Sequence, residues 1–204
     1  MPDIRQPLSE KSVESDPISL FARWYERALE KVKPLPHAVA LATATLSGHP
    51  SVRMVLLKGF DAHGFVFYTN NASRKGRELA RNARASLVFY WGDLERQVRV
   101  DGRVTKVAAR ESDEYFATRP RGSQLSAWAS AQSAKVANRA VLERHFAAFA
   151  RKYPGAVPRP PHWGGYRLAP DTIEFWQGRD DRLHDRILYR RGPRGRWGIE
   201  RLAP

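Results

Sequence analysis

Eleven consecutive residues, Trp176-Gln177-Gly178-Arg179-Asp180-Asp181-Arg182-Leu183-His184-Asp185-Arg186, combine cations, carboxylates, a histidine and a tryptophan. An imidazole exchanges protons near neutral pH, and a guanidinium orients an anionic or planar substrate. A charged hairpin loop would have the same composition. Upstream, Tyr68-Thr69-Asn70-Asn71-Ala72-Ser73-Arg74-Lys75 reads as a strand end followed by a helix that Ser73 caps. Cations in a first helical turn oppose the helix dipole, and a bound anion would reverse that penalty while using the free backbone donors. A solvated basic turn is the plainer alternative. Arg53-Met54-Val55-Leu56-Leu57-Lys58 places a cation at each end of an apolar run read as a buried strand, and strand parity sends the two to opposite faces. Tyr115, Arg119, Arg121 and Ser123 form a further cluster that, with Lys58, can hold a second phosphate; surface ion pairs would account for it equally well.

Other chemistries are excluded by what the chain lacks. It has no cysteine, hence no disulfide framework, thiolate metal site or thiol nucleophile. His37, His49, His63, His145 and His162 show no metal-ligand spacing, so no metal is expected. There is no glycine-rich nucleotide loop and no G-x-S-x-G, so catalysis requires a bound cofactor. Thirty-five Lys and Arg against 21 Asp and Glu give +14, and 27 of the cations are arginine. The excess is spread through the body of the chain, which suits nucleic acid or small phosphorylated ligands. No apolar run approaches 18 residues and the N-terminus is too polar for a signal peptide, so a soluble, cytoplasmic protein is expected.

The elements that must position these residues are legible in outline. Residues 1–16 lack apolar periodicity and read as a flexible leader, with a single domain over 17–204. Leu20, Phe21, Trp24 and Leu29 recur at near-helical spacing after Asp16-Pro17, before Pro34 and Pro36 end the helix. Strands are expected over 38–46, 52–57, 65–69 and 85–91, with a helix over 74–82. From Gln97 to Val107 the pattern alternates, Val98, Val100 and Val104 on one face. Helices are expected over 110–118 and 136–152, separated by a serine-rich loop with room for one helical turn, and short strands over 165–168, 172–177, 187–190 and 197–202. The sum is a mainly β chain with helices, α+β in class: an antiparallel barrel with peripheral helices.

Eight motifs occur in order: RMVLLK at 53–58, FYTN with SRK at 67–75, LERQV at 94–98, RPRGSQ at 119–124, QS at 132–133, EFWQG at 174–178, RLHDR at 182–186 and RLAP at 201–204. Together they closely resemble the pyridoxine (pyridoxamine) 5′-phosphate oxidase family, from about Asp16 to Pro204. The resemblance implies an FMN-binding split β-barrel, a homodimer with FMN at the subunit interface. It implies FMN contacts from Arg53, Met54, Val55, Leu56, Leu57, Lys58, Tyr68, Thr69, Arg74, Lys75, Gln97, Gln132, Ser133, Trp176 and Arg186. Substrate contacts would come from Lys58, Tyr115, Arg119, Ser123, Arg182, Leu183 and His184, with Arg182 and His184 assisting at the reacting carbon. The implied reaction oxidises a phosphorylated vitamin B6 substrate to pyridoxal 5′-phosphate, with O2 as acceptor and H2O2 as product, and involves neither membrane nor nucleic acid. Alternatives are a related FMN oxidase acting on a phenazine precursor, a non-catalytic flavin-binding module, and a nucleic-acid-binding protein.

Overall fold

The computed structural model describes residues 7–204. Helix α1 (Pro17–Lys31) starts where Asp16 accepts hydrogen bonds from the amides of Ile18 and Ser19 and Pro17 occupies the first turn. Its buried stripe is Leu20, Phe21, Trp24 and Ala28. Leu29, expected on that stripe, is largely exposed because the helix presents the next position, Ala28, to the sheet. Phe21 is the anchor, its ring 4.8–5.0 Å from those of Phe60, Phe65 and Phe89. A fully buried side chain of this kind stabilises a fold by about 2–3 kcal/mol.

Nine antiparallel strands follow: β1 (Ala38–Ala44), β2 (Pro50–Leu56), β3 (Gly59–Asp61), β4 (Gly64–Asn70), β5 (Arg84–Trp91), β6 (Arg96–Lys106), β7 (Trp163–Gln177), β8 (Asp185–Arg191) and β9 (Trp197–Arg201). They form one curled sheet in the order β2-β1-β5-β6-β7-β4-β3, with β8 and β9 added beyond the second half of β7. Strand β2 returns to meet β4, which closes the curl into a split barrel, and α1 packs its buried stripe into the barrel's core. No helix among the described residues is long and apolar enough to cross a membrane.

Four departures from the sequence reading have physical causes. The run at 52–57 is not a buried strand: β2 is a sheet edge with Val52, Met54 and Leu56 facing outward. The two strands expected over 165–168 and 172–177 are one, because the register shift at Asp101/Gly102 leaves Asp171 as an unpaired bulge residue while Pro170 stays opposite Gly102. Gly102 makes this possible, since a Cβ there would lie 2.1 Å from the Ala169 carbonyl oxygen. The serine-rich segment is a nine-residue helix, α4 (Arg121–Ala129), between α3 (Ala109–Thr118) and α5 (Arg139–Lys152). Gln124 ties α4 to the end of α3 through the Phe116 carbonyl, and Trp128 bonds the Pro158 carbonyl. Of the expected leader, residues 1–6 lie outside the described residues. From Leu8 the chain is docked: the Leu8 amide donates to Asp185, and Arg201 reaches Glu10.

Candidate active site

Helix α2 (Arg74–Arg81) carries Lys75 in its first turn as a buried side chain. Ser73 caps it through the Gly76 amide, and Ser133 Oγ accepts the Arg74 amide from outside. Ser133 has φ 73, a strained conformation that sets this contact. Lys75 is buried, and its Nζ donates to Gln132 Oε1 (3.0 Å), Thr69 Oγ1 (3.2 Å) and Ser73 Oγ (3.4 Å). Burial, then the charge of Arg53, pull this ammonium below its ordinary pKa, and Glu78 partly offsets them.

Lys75 borders a cavity of about 610 Å³. The cavity also draws Met54, Val55 and Leu56 from β2, Lys58 beyond it, Tyr68 and Thr69 from β4, and Gln132. Tyr115, Arg119 and Ser123 line it as well. Eleven of the residues singled out from sequence therefore meet in one space. Arg53, Leu57, Arg74 and Ser133 are not part of this lining. Leu57 is in the hydrophobic core, and Arg53 is bonded to Thr43, Ser51, Glu78 and the Leu41 carbonyl. Arg121, the remaining member of the Tyr115 cluster, turns away to the Tyr153 and Gly155 carbonyls.

An aromatic platform floors the cavity. Tyr68 stacks on Tyr115 at 4.1 Å and on Trp163 at 5.4 Å. Gly165 makes this possible, because a Cβ there would approach the Tyr68 ring to 2.6 Å. Burial first, then the nearby Glu111 carboxylate, push the Tyr68 phenol up to about 12, so it stays neutral. Arg119 lies over Trp163 at 4.7 Å, and its buried Nη1 has no hydrogen-bond partner among the described residues. Lys58 sits over the Tyr115 ring at 5.9 Å. Among the described residues no carboxylate forms an ion pair with Lys58, Lys75 or Arg119. Three cations around one cavity without a counter-ion make an anion site, and an orphaned buried guanidinium nitrogen marks where an acceptor is missing.

The second group lies elsewhere on the protomer. Gln97 pairs with Tyr90 and Trp176, and Trp176 with Arg186, so these four side chains form one row on the outer face of the sheet. Arg186 Nε donates to Glu174 (2.7 Å), a buried carboxylate that also accepts from Arg99, and this pairing raises the Arg186 pKa. His184 lies 4.7 Å from the Trp176 ring, and its Nδ1 accepts the Arg179 amide at 3.1 Å. The neutral imidazole therefore carries its proton on Nε2. Arg182 has φ 62, and both it and Leu183 project into solvent. None of Gln97, Trp176, Arg182, Leu183, His184 and Arg186 lines the cavity.

The same outer face carries apolar side chains: Met54 pairs with Ala40 and Ala40 with Val88, flanked by exposed Val52 and Tyr90. Sequence reasoning missed Trp163, Glu78 and Glu174. The first is signalled only by its position before two glycines, the others by nothing local.

A family model described as pyridoxamine 5′-phosphate oxidase matches residues 25–153, and one described as the pyridoxine 5′-phosphate oxidase C-terminal dimerisation region matches 163–204. The chain belongs to the pyridoxine/pyridoxamine 5′-phosphate oxidase family. It is an enzyme of that oxidoreductase family, built on the family's split barrel. Pyridoxine/pyridoxamine 5′-phosphate oxidases of Cupriavidus necator and Rubrobacter xylanophilus are each 57% identical to it, over 97% and 98% of this chain and 93% and 92% of theirs. Among solved structures, PhzG from Burkholderia lata, in complex with tetrahydrophenazine-1-carboxylic acid, superposes with a TM-score of 0.90 at 35% identity, covering 97% of this chain and 98% of that one. An FMN-binding, pyridoxamine 5′-phosphate oxidase-related protein from Nostoc punctiforme shares the fold, with a TM-score of 0.73 at 18% identity over 98% of this chain and all of that one.

Proposed function

We propose that the protein is an FMN-dependent oxidase that converts pyridoxine 5′-phosphate and pyridoxamine 5′-phosphate to pyridoxal 5′-phosphate, with O2 as acceptor and H2O2 as product. The observation that carries this reading is the cavity whose cations have no carboxylate partner among the described residues. Its residues suit two phosphorylated aromatic ligands. Lys75, backed by Arg53 and Arg74, would take the phosphate of FMN, with Gln132, Ser133 and Thr69 beside it. Lys58, Tyr115, Arg119 and Ser123 would take the phosphate of the substrate, where the unpartnered Arg119 Nη1 supplies a ready donor. A cavity of about 610 Å³ is within the range that holds small-molecule ligands.

The flavin, when bound, supplies the two-electron acceptor that the amino-acid side chains lack. The chain's own residues bind and orient. The platform of Tyr68, Tyr115 and Trp163 would shield the Arg119 end of the cavity from water. His184, with its proton fixed on Nε2, and Arg182 would orient the substrate and assist proton movement at its reacting carbon. These two, with Leu183, Gln97, Trp176 and Arg186, would reach a partner protomer's cavity rather than their own. Two observations support a homodimer of this kind: the dimerisation-region match over 163–204, and the apolar outer face that runs from Met54 into the row Tyr90-Gln97-Trp176-Arg186.

The test is an anaerobic mix of FMN-loaded protein with pyridoxine 5′-phosphate, read by visible absorbance. The flavin band should bleach and return when air is admitted. A flavin that stays oxidised with this substrate and with pyridoxamine 5′-phosphate overturns the reading. The similarity to PhzG favours, as a second reading, an FMN oxidase acting on a reduced phenazine precursor. Bleaching by such a ring alone would select it; the four groups gathered for a substrate phosphate weigh against it.

A further inference from the structure

One buried carboxylate organises the cations behind the cavity. Glu78 lies one turn along α2 from Arg74, with its side chain 6% exposed. Its Oε2 accepts from the hydroxyls of Thr43 and Ser51 and from Arg53 Nη2 (3.3 Å), and its Oε1 accepts from Arg74 Nε (2.8 Å). Thr43 and Ser51 face each other across β1 and β2, so Glu78 ties both strands to α2 at a single point. Burial would push this carboxyl up, but the hydrogen bonds from Ser51, Thr43 and Arg74, with the charge of Arg74, bring it down to about 2. It is ionised throughout the working pH range.

A carboxylate placed here works against an incoming phosphate by simple Coulomb repulsion. What it provides is geometry. Arg53 is held through both terminal nitrogens, by Glu78, Ser51, Thr43 and the Leu41 carbonyl, which leaves Nε as its remaining donor. Arg74 is held the other way round. Nε is engaged, and both terminal nitrogens have no hydrogen-bond partner among the described residues. One carboxylate also offsets one of the three clustered cations Arg53, Arg74 and Lys75, leaving two positive charges for a phosphate of about −2.

We propose that Glu78 is a positioning residue for the cofactor's phosphate, presenting Arg74 as its main guanidinium donor and keeping Arg53 as a fixed charge behind it. This rests on the FMN reading above. The test compares FMN with riboflavin, which lacks the phosphate, by flavin-fluorescence quenching on the full-length apoprotein and on Glu78→Gln. Wild-type protein should prefer FMN; equal affinity for the two flavins would remove the phosphate site itself, and Glu78's role with it. In Glu78→Gln, loss of a negative charge alone would tighten FMN binding. Positioning requires the reverse: FMN weaker by about tenfold or more, with riboflavin within about twofold. Unchanged or tighter FMN binding overturns the proposal, and so does equal weakening of both flavins, which would make Glu78 a support of the fold only. Should Glu78→Gln fail to fold, Ser51→Ala removes one donor to the carboxylate and one acceptor of Arg53 and leaves every charge in place. A selective loss of FMN affinity of about threefold is then expected. No selective loss overturns the proposal.

Discussion

The cavity and the β7–β8 turn handle charge in opposite ways. Around the cavity, Lys58, Lys75 and Arg119 face hydroxyls, an amide oxygen and aromatic rings, with no carboxylate among the described residues paired to them. Around the turn, charge is matched within the protomer: Arg186 to Glu174, and Arg179 and Arg201 both to Asp185. Desolvation would raise the Asp185 pKa, but the hydrogen bonds from Arg201 and Arg179 hold it below its ordinary value. The first region is built to be completed by an anion. The second is matched by its own carboxylates and mounts the turn, from which Arg182 and Leu183 project while His184 packs against Trp176. Local charge balance thus separates the side that binds from the side that presents.

The strongest way to break this comparison is to split the two regions between chains. Protein carrying Arg119→Ala and protein carrying Arg182→Ala should each be poorly active alone. After subunit exchange, half the dimers are mixed and each has one fully intact site, so about a quarter of wild-type activity should return. Turnover of pyridoxine 5′-phosphate by the mixture checks this; activity equal to the mean of the two parents would place both regions in one protomer's site.

Next in size, Arg119→Ala should weaken binding of the phosphorylated substrate by about 1.5–3 kcal/mol through loss of a charge-assisted hydrogen bond. FMN affinity, measured by fluorescence quenching, should barely change. Equal losses in both would merge the two anion subsites into one.

A smaller effect sharpens the role of buried carboxylates beside the cavity. The Glu78 pKa is depressed from its ordinary 4.5 to about 2, so ionised Glu78 stabilises the fold above pH 4.5. That contribution is lost as pH falls toward 2. Thermal midpoints of wild type and Glu78→Gln should therefore differ most near neutrality and converge on acidification below pH 4.5. Smallest of all, Tyr68→Phe removes only a 3.4 Å hydrogen bond to partly exposed Glu111 and keeps the stacked ring. Its urea midpoint should report a change of no more than about 0.5 kcal/mol.

What the sequence revealed follows the range of each interaction. Helix α2 was legible because Ser73 caps it locally, and β6 because its valines alternate. The cavity's cations were legible by type and spacing along single elements. Helix α4 was not: it has no side-chain cap and a weak apolar stripe, and Gln124 and Trp128 hold it through distant carbonyls. Glu78 and Glu174 looked like ordinary surface carboxylates. Their partners Thr43, Ser51 and Arg99 come from strands far away in the chain, so only the sheet register turns them into buried anchors. The outward turn of β2 was hidden for the same reason, since an apolar run does not say which sheet edge it occupies.

Strand β7 carries Trp163, which floors the cavity, near one end and Trp176, beside the projecting turn, near the other. Thirteen residues of extended chain separate them, up to about 43 Å of path. Both tryptophans are fixed by one continuous strand, so the spacing between the cavity floor and the turn within a protomer is set by the sheet and not by the loops at either end. Under the proposed pairing, turnover becomes a collective property: at protomer concentrations below the dimer's dissociation constant, specific activity should fall in proportion to dilution, although every chain remains folded.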